Sequence, residues 1–277
     1  MFLGVSVLFA ARKYGTQHLT DLQNPTLHSL ALSQGVHQYG SSRCRPNRPI
    51  GRGQPPPNGA AGEVLARPAP LDEVFVMSFQ LDGIPRLVFG PGRLPEAAAV
   101  AAAYGRRVLL VTGARSFGDG FGLLEALSGL GLVVVRVVVE REPSPALVDA
   151  AVTEFPETEV VIAVGGGAVI DAGKAISAML PERLPVRDFL EGVGTRAPSG
   201  KKVPFGACPT TAGTGAEATK NAVLSEVGPQ GFKKSLRHNN YIPNAVVIDP
   251  ALACSCPVSV TAACGMDALT QLIEAFT

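Results

Sequence analysis

The chain has 277 residues, 46% of them apolar and 17% charged, with a formal net charge of +1. That composition fits a well-buried globular body, and the charge balance gives no electrostatic ground for binding nucleic acid or an anionic membrane surface. Five cysteines without a C-x-x-C pair argue against a disulfide framework or a zinc knuckle, and Cys254 and Cys256 read as two small buried residues.

In chain order, residues 1–76 stand apart. They hold the aperiodic stretch PNRPIGRGQPPPNGAAG, and Asp21 is the only acid before Glu63. Such a segment buries too little apolar surface to offset its ordering entropy, so it is expected to be disordered, or extraneous to a start near Met77. Its opening, MFLGVSVLFAARKYG, is too short to span a bilayer and lacks the features of a secretory leader. A cytoplasmic location is expected.

From residue 77 the texture changes. RVLLVTG (107–113), LVVVRVVVE (132–140), EVVIAV (159–164), KVPFGACP (202–209) and NAVVIDP (244–250) read as strands. Nearly unbroken Val/Ile/Leu runs predict strands covered on both faces, hence a parallel sheet. Helical stretches alternate with them: LPEAAAVAAAYG, FGLLEALSGLG, SPALVDAAVTEF and AVIDAGKAISAML. Ser144 followed by Pro145 predicts an N-cap with proline at the first helical position. The expected fold class is α/β, with a doubly wound, mostly parallel sheet over residues 77–250. Residues 251–277 hold SVTAACGMDALTQLIEAFT, an amphipathic helix expected to open a second, all-helical domain. The helix runs to Thr277 without a cap or breaker, which predicts a truncated product. Its unpartnered apolar face predicts association, as a homo-oligomer or an aggregate.

Two polar turns fall at expected strand ends. The first is AVGGGAVIDAGKA (163–175). It fails the dinucleotide fingerprint, because Ile170 stands where Gly or Ala is needed, and it fails the P-loop because Ala168 and Ala175 replace Gly and Ser/Thr. The glycines then serve either close backbone approach to a diphosphate or a tight strand–helix turn. The second, CPTTAGTGAEATK (208–220), offers hydroxyl donors between glycines. Two such turns look like opposite walls of one nucleotide cleft.

GGGAVIDAGK, PTTAGTGAE and GMDALTQ, in that order, resemble three motifs of the iron-containing (group III) alcohol dehydrogenases. Those read Gly-Gly-Gly-Ser-x-x-Asp-x-x-Lys, Pro-Thr-Thr-Ala-Gly-Thr-Gly-Ser-Glu and Gly-Met-Asp-Ala-Leu-x-His. The similarity extends from about Leu81 to Thr277 and takes in IPNAVVIDP. The resemblance implies a dehydroquinate synthase-like fold and an oxidoreductase that uses NAD or NADP on a small-molecule alcohol or aldehyde. It further implies that Gly165, Gly166 and Gly167 lie on the cofactor pyrophosphate, that Asp171 and Lys174 line the same cleft, and that Thr210, Thr211 and Thr214 bind from the other wall. Asp171 alternatively pairs with Lys174 at i, i+3 spacing. The family's Ser is Ala at 168 and at 216.

Many family members carry Asp directly after the first strand. Gly113, Ala114 and Arg115 stand there instead, so NADP is expected to be tolerated or preferred, with Arg115 either attracting a 2′-phosphate or serving as a plain surface residue. By the same resemblance Fe²⁺ or another divalent metal would be held by Asp267 and three His. Gln271 stands where the first His is expected, an amide being a weaker ligand than imidazole, and the other two would lie beyond Thr277. His238 reads as a partly exposed loop residue. The metal site is therefore expected to be incomplete and this product inactive. A dehydroquinate synthase-like or polyol-phosphate dehydrogenase-like enzyme, and a nucleotide-binding remnant that transfers no hydride, are the alternatives.

Overall fold

The computed structural model describes residues 83–118 and 120–276. The expectations for residues 1–76, and for a boundary at 77, lie outside the described residues.

Six strands form a fully parallel sheet: β1 (Leu87–Phe89), β2 (Arg107–Gly113), β3 (Val133–Val139), β4 (Val160–Gly165), β5 (Phe205–Pro209) and β8 (Ala245–Ile248). Their order is β1-β8-β5-β4-β2-β3. Helices α1 (Glu96–Ala102), α2 (Leu123–Gly129), α3 (Pro145–Glu154) and α4 (Gly167–Glu182) make the crossovers. The Ser144 Oγ accepts from the Leu147 amide at 3.2 Å, with Pro145 opening α3, as the Ser-Pro signal predicts.

Alternation along each strand divides the core. In β2 and β4, Leu109, Val111, Val161 and Ala163 join one cluster with Ile170, Ile176 and Met179 of α4. Val108, Leu110, Val160, Ile162 and Val164 join the other with Ala97 and Ala98 of α1 and Leu123 and Leu127 of α2. Covering both faces is why β4 is buried at all six positions. Gly173 lets α4 sit close on the sheet: a Cβ there would come within 2.8 Å of Ala163 Cβ and 2.9 Å of Phe205 Cε2.

The structure departs from the sequence reading in three places. β3 was expected to be covered on both faces, yet it is an edge strand with only Val139 buried; Val133 and Val138 are exposed. A hairpin, β6 (Asn221–Glu226) with β7 (Phe232–Arg237), follows the second polar turn and was not anticipated. It buries Ala222, Leu224 and Leu236 against α4, while Val223, Ser225 and Ser235 on its other face are half-buried. Cys254 is exposed and Cys256 half-buried, against the expectation of two buried thiols. His238 is half-buried, and its Nδ1 accepts from the Asn240 amide at 3.1 Å.

After β8 come α5 (Pro250–Ala253), capped by Asp249, and α6 (Val258–Phe276). Along α6 only Ala268 is buried, while Met266, Leu269 and Ile273 are exposed. No helix among the described residues is long and apolar enough to cross a membrane.

Candidate functional site

β4 and β5 are neighbours, paired in register from Val161 with Phe205 to Gly165 with Pro209. Both polar turns therefore leave the same carboxyl edge side by side, where open α/β sheets receive ligands. The Thr210 amide donates to the Gly165 carbonyl at 2.9 Å, extending the ladder by one bond past the strands.

The three glycines have different reasons. A Cβ on Gly165, the last residue of β4, would lie 2.5 Å from Val169 Cβ, so the tight turn into α4 itself demands glycine. Gly166 is the extended N-cap of α4, which no side chain caps; a Cβ there would rest 3.4 Å from Thr211 Cγ2. A Cβ on Gly167 would meet Thr214, at 2.8 Å from Oγ1 and 2.9 Å from Cγ2. The two turns thus touch, Gly166 facing Thr211 and Gly167 facing Thr214. Thr210 is 4% exposed, whereas Thr211 is half-buried and Thr214 exposed.

Asp171 and Lys174 lie deeper. Asp171 is half-buried, and burial pushes its carboxyl up to about 6, offset in part by Lys174 and the Val223 amide. Lys174 is 1% exposed. Its Nζ donates to the carbonyls of Ala216 (2.7 Å), Thr219 (2.7 Å) and Asn221 (2.9 Å) and to Thr219 Oγ1 (3.0 Å). Burial lowers its pKa to about 8 against the pull of Asp171 and Glu217. Lys174 is therefore enclosed beneath the second turn rather than lining an open cleft. Glu217, also raised by burial, was missed by sequence reasoning, as was Asn221, and Thr219 was read only as one of the second turn's hydroxyl donors. No local pattern marks their link to Lys174, because that residue of α4 lies more than forty positions earlier in sequence and meets them only through the fold.

Gly113 ends β2, followed by Arg115, which is exposed. On α6, Cys264 packs against the second turn: a Cβ on Gly213 would lie 2.8 Å from Cys264 Cα. The Gln271 Nε2 donates to the Gly213 carbonyl at 3.1 Å, and Asp267 is exposed. Among the described residues, no three His, Cys, Asp or Glu gather as metal ligands. One exposed carboxylate and one neutral amide oxygen, with no imidazole beside them, do not fit a catalytic Fe²⁺ site. The glycine-lined approach to the uncapped start of α4 does fit a phosphate group.

An open parallel sheet with a glycine turn and a glycine- and threonine-bearing turn side by side at one carboxyl edge defines the class. The sequence model for iron-containing alcohol dehydrogenases matches residues 85–250, and the chain belongs to that family. It is 38% identical over 146 residues to long-chain-alcohol dehydrogenase 1 of Geobacillus thermodenitrificans, covering 51% of this chain and 36% of that one. It is 34% identical over 200 residues to a probable alcohol dehydrogenase of Escherichia coli, covering 70% and 49%. Its fold is similar to the crystal structure of sulfoacetaldehyde reductase from Bifidobacterium kashiwanohense in complex with NAD⁺, with a TM-score of 0.64, 28% identity and coverage of 73% and 54%. The chain thus spans about half the length of the curated relatives it matches, or less.

Proposed function

We propose that the described residues form the nucleotide-binding part of an NAD(P)-dependent oxidoreductase acting on the CH–OH group of a small alcohol, or on the matching aldehyde. One observation carries this reading: the turns after β4 and β5 meet, with Gly166 against Thr211 and Gly167 against Thr214, over an α4 start that no side chain caps. Backbone N–H groups and the positive helix end would take the diphosphate, and the Thr211 and Thr214 hydroxyls would hydrogen-bond it from the other side. A bound nicotinamide supplies the hydride acceptor or donor. Membership of the family, and a relative of similar fold that holds NAD⁺, support the reading.

At the end of β2, Gly113 presents no carboxylate to repel a 2′-phosphate and the exposed Arg115 lies two residues on, which favours NADP at least as well as NAD. Asp267 and Gln271 do not fit the family's metal, so the reading assigns nucleotide binding to the described residues and no hydride step.

Titration of the full chain with NADH and NADPH, followed by nucleotide fluorescence, tests this. Both are expected to bind, NADPH at least as tightly, and Gly113→Asp is expected to weaken NADPH about tenfold or more beyond any loss for NADH, the comparison separating charge repulsion from the crowding of Ser116 Oγ by the new Cβ. A chain that takes up neither nucleotide would falsify the reading.

A further inference from the structure

We infer that Lys174 is a positioning residue, which touches no ligand and holds the turn over residues 210–221 against α4 in the shape that receives the nucleotide. The inference rests on the nucleotide reading above for its consequence, though not for the contact itself.

The geometry runs from the sheet outward. Gly173 brings α4 down onto β4 and β5, next to Ala163 and Phe205, so the helix has a fixed height above the strands. Lys174, the next residue, turns the other way and reaches the segment that follows the Gly-Thr-Gly of the second turn. An ammonium has three N–H groups and no acceptor. Four oxygens, on Ala216, Thr219 (two) and Asn221, surround it at 2.7–3.0 Å, so every proton has a target inside the protein. At 1% exposure none is left for a ligand.

The carbonyls concerned lie in the short 3-10 turn Ala216–Ala218, just after it at Thr219, and at Asn221, the first residue of β6. Thr219 Oγ1 also lies 3.1 Å from the Ala216 carbonyl, which knits the same turn to itself. About two helical turns separate Gly167 from Lys174. One helix thus grips the second turn twice: at its start through the glycine contacts to Thr211 and Thr214, and lower down through the Lys174 bonds. The distance between the two grips fixes where the Thr211 and Thr214 hydroxyls stand relative to the free N–H end of α4. Asp171 and Glu217 flank the ammonium and offset its charge. A side chain of the same length without donors would strip the Thr219 carbonyl of its ammonium donor and leave those of Ala216 and Asn221 only the longer bonds from Thr219, so the turn would have to open to hydrate them.

Lys174→Met in the full chain tests this by amide hydrogen exchange and nucleotide binding. Exchange across residues 210–221 is expected to accelerate about tenfold or more while β2 and β4 stay protected, and nucleotide Kd to rise by a similar factor. Saturating NADPH should restore the protection, because a ligand that selects the ordered turn shifts the population back; general damage to the fold would not recover. Unchanged exchange and affinity, or protection lost equally in β2 and β4, would overturn the inference. Should the variant fail to fold, Thr219→Val removes one acceptor at a half-buried site. It is expected to raise exchange over 216–221 about threefold or more, and no change there would overturn the inference equally. If the wild-type chain takes up no nucleotide, the functional reading falls, while the exchange comparison still decides whether Lys174 holds the turn.

Discussion

Gly167 and Thr214 face each other so closely that a methyl group on the first would stand 2.8 Å from the hydroxyl oxygen of the second. They come from turns that follow different strands, and their contact is what makes two turns into one site. Gly167 has no left-handed backbone requirement, and Thr214 is exposed and can rotate away. Gly167→Ala is therefore expected to change stability by about 1 kcal/mol or less, the helix-propensity gain of alanine offsetting the crowding. Nucleotide affinity should fall about tenfold or more as Thr214 is displaced. Urea unfolding alongside a fluorescence titration checks both, and an alanine variant with unimpaired binding would remove the contact from the site.

Gly173 makes the opposite case. Its hydrogen faces Ala163 and Phe205, which are packed from both sides and cannot yield. Gly173→Ala should cost about 1–3 kcal/mol despite the better helix former, because α4 must lift from the sheet. A loss of urea midpoint without a change in slope is the expected signature.

Asp171 predicts a pH effect. Burial holds its carboxyl at about 6 in the folded chain, above its ordinary value of 3.8. The folded state then binds the proton more tightly than the unfolded state, so this group's contribution to stability falls as pH rises from about 4 to about 6 and is level beyond. Asp171→Asn removes the titration. Wild type should lose on the order of 1–3 kcal/mol relative to the variant between about pH 4 and about pH 7. Parallel pH–stability curves for the two proteins would show that the carboxylate is not raised.

Asp249 takes three backbone amides, with Oδ1 accepting from Gly92 and Ala251 and Oδ2 from Leu94, each at 3.0 Å. It ties the start of α1 and the cap of α5 to the end of β8. Asp249→Ala should cost roughly 2–5 kcal/mol, since the buried Leu94 amide loses its carboxylate acceptor. Asp249→Asn, which keeps one oxygen, should cost less. A melting-temperature series across the two variants and wild type would show that ranking.

Much of the fold was legible because burial on both faces leaves a plain mark. The run VVIAVG could be a covered strand from composition alone, and the structure places it at the sheet's centre. The same mark misled at β3, where valines outnumber what packing requires and the edge leaves two of them, Val133 and Val138, exposed. The β6–β7 hairpin escaped notice because NAVLSE alternates over only six residues and its partner, FKKSLR, is mostly polar. The two glycine turns were visible as turns, and their meeting followed from two strands being neighbours. What each glycine does was not visible, since Gly165 answers to Val169 four residues on and Gly167 to Thr214 across the gap. Lys174 could be read as a site residue, but not as an enclosed one, because its acceptors are backbone carbonyls and carry no residue signature.

The pairing of β1 with β8 has a bearing on biosynthesis. Leu87–Phe89 has its partner strand at Ala245–Ile248, and the Asp249 carboxylate that anchors Gly92 lies 157 residues further along the chain. A ribosome delivers the central strands, and the helices that cover them, long before that partner emerges. The first strand must wait at an unfinished edge while the middle of the sheet assembles, and contacts of such long sequence separation close slowly. Nascent chains stalled before residue 245 would therefore present an unzipped flank to chaperones and proteases.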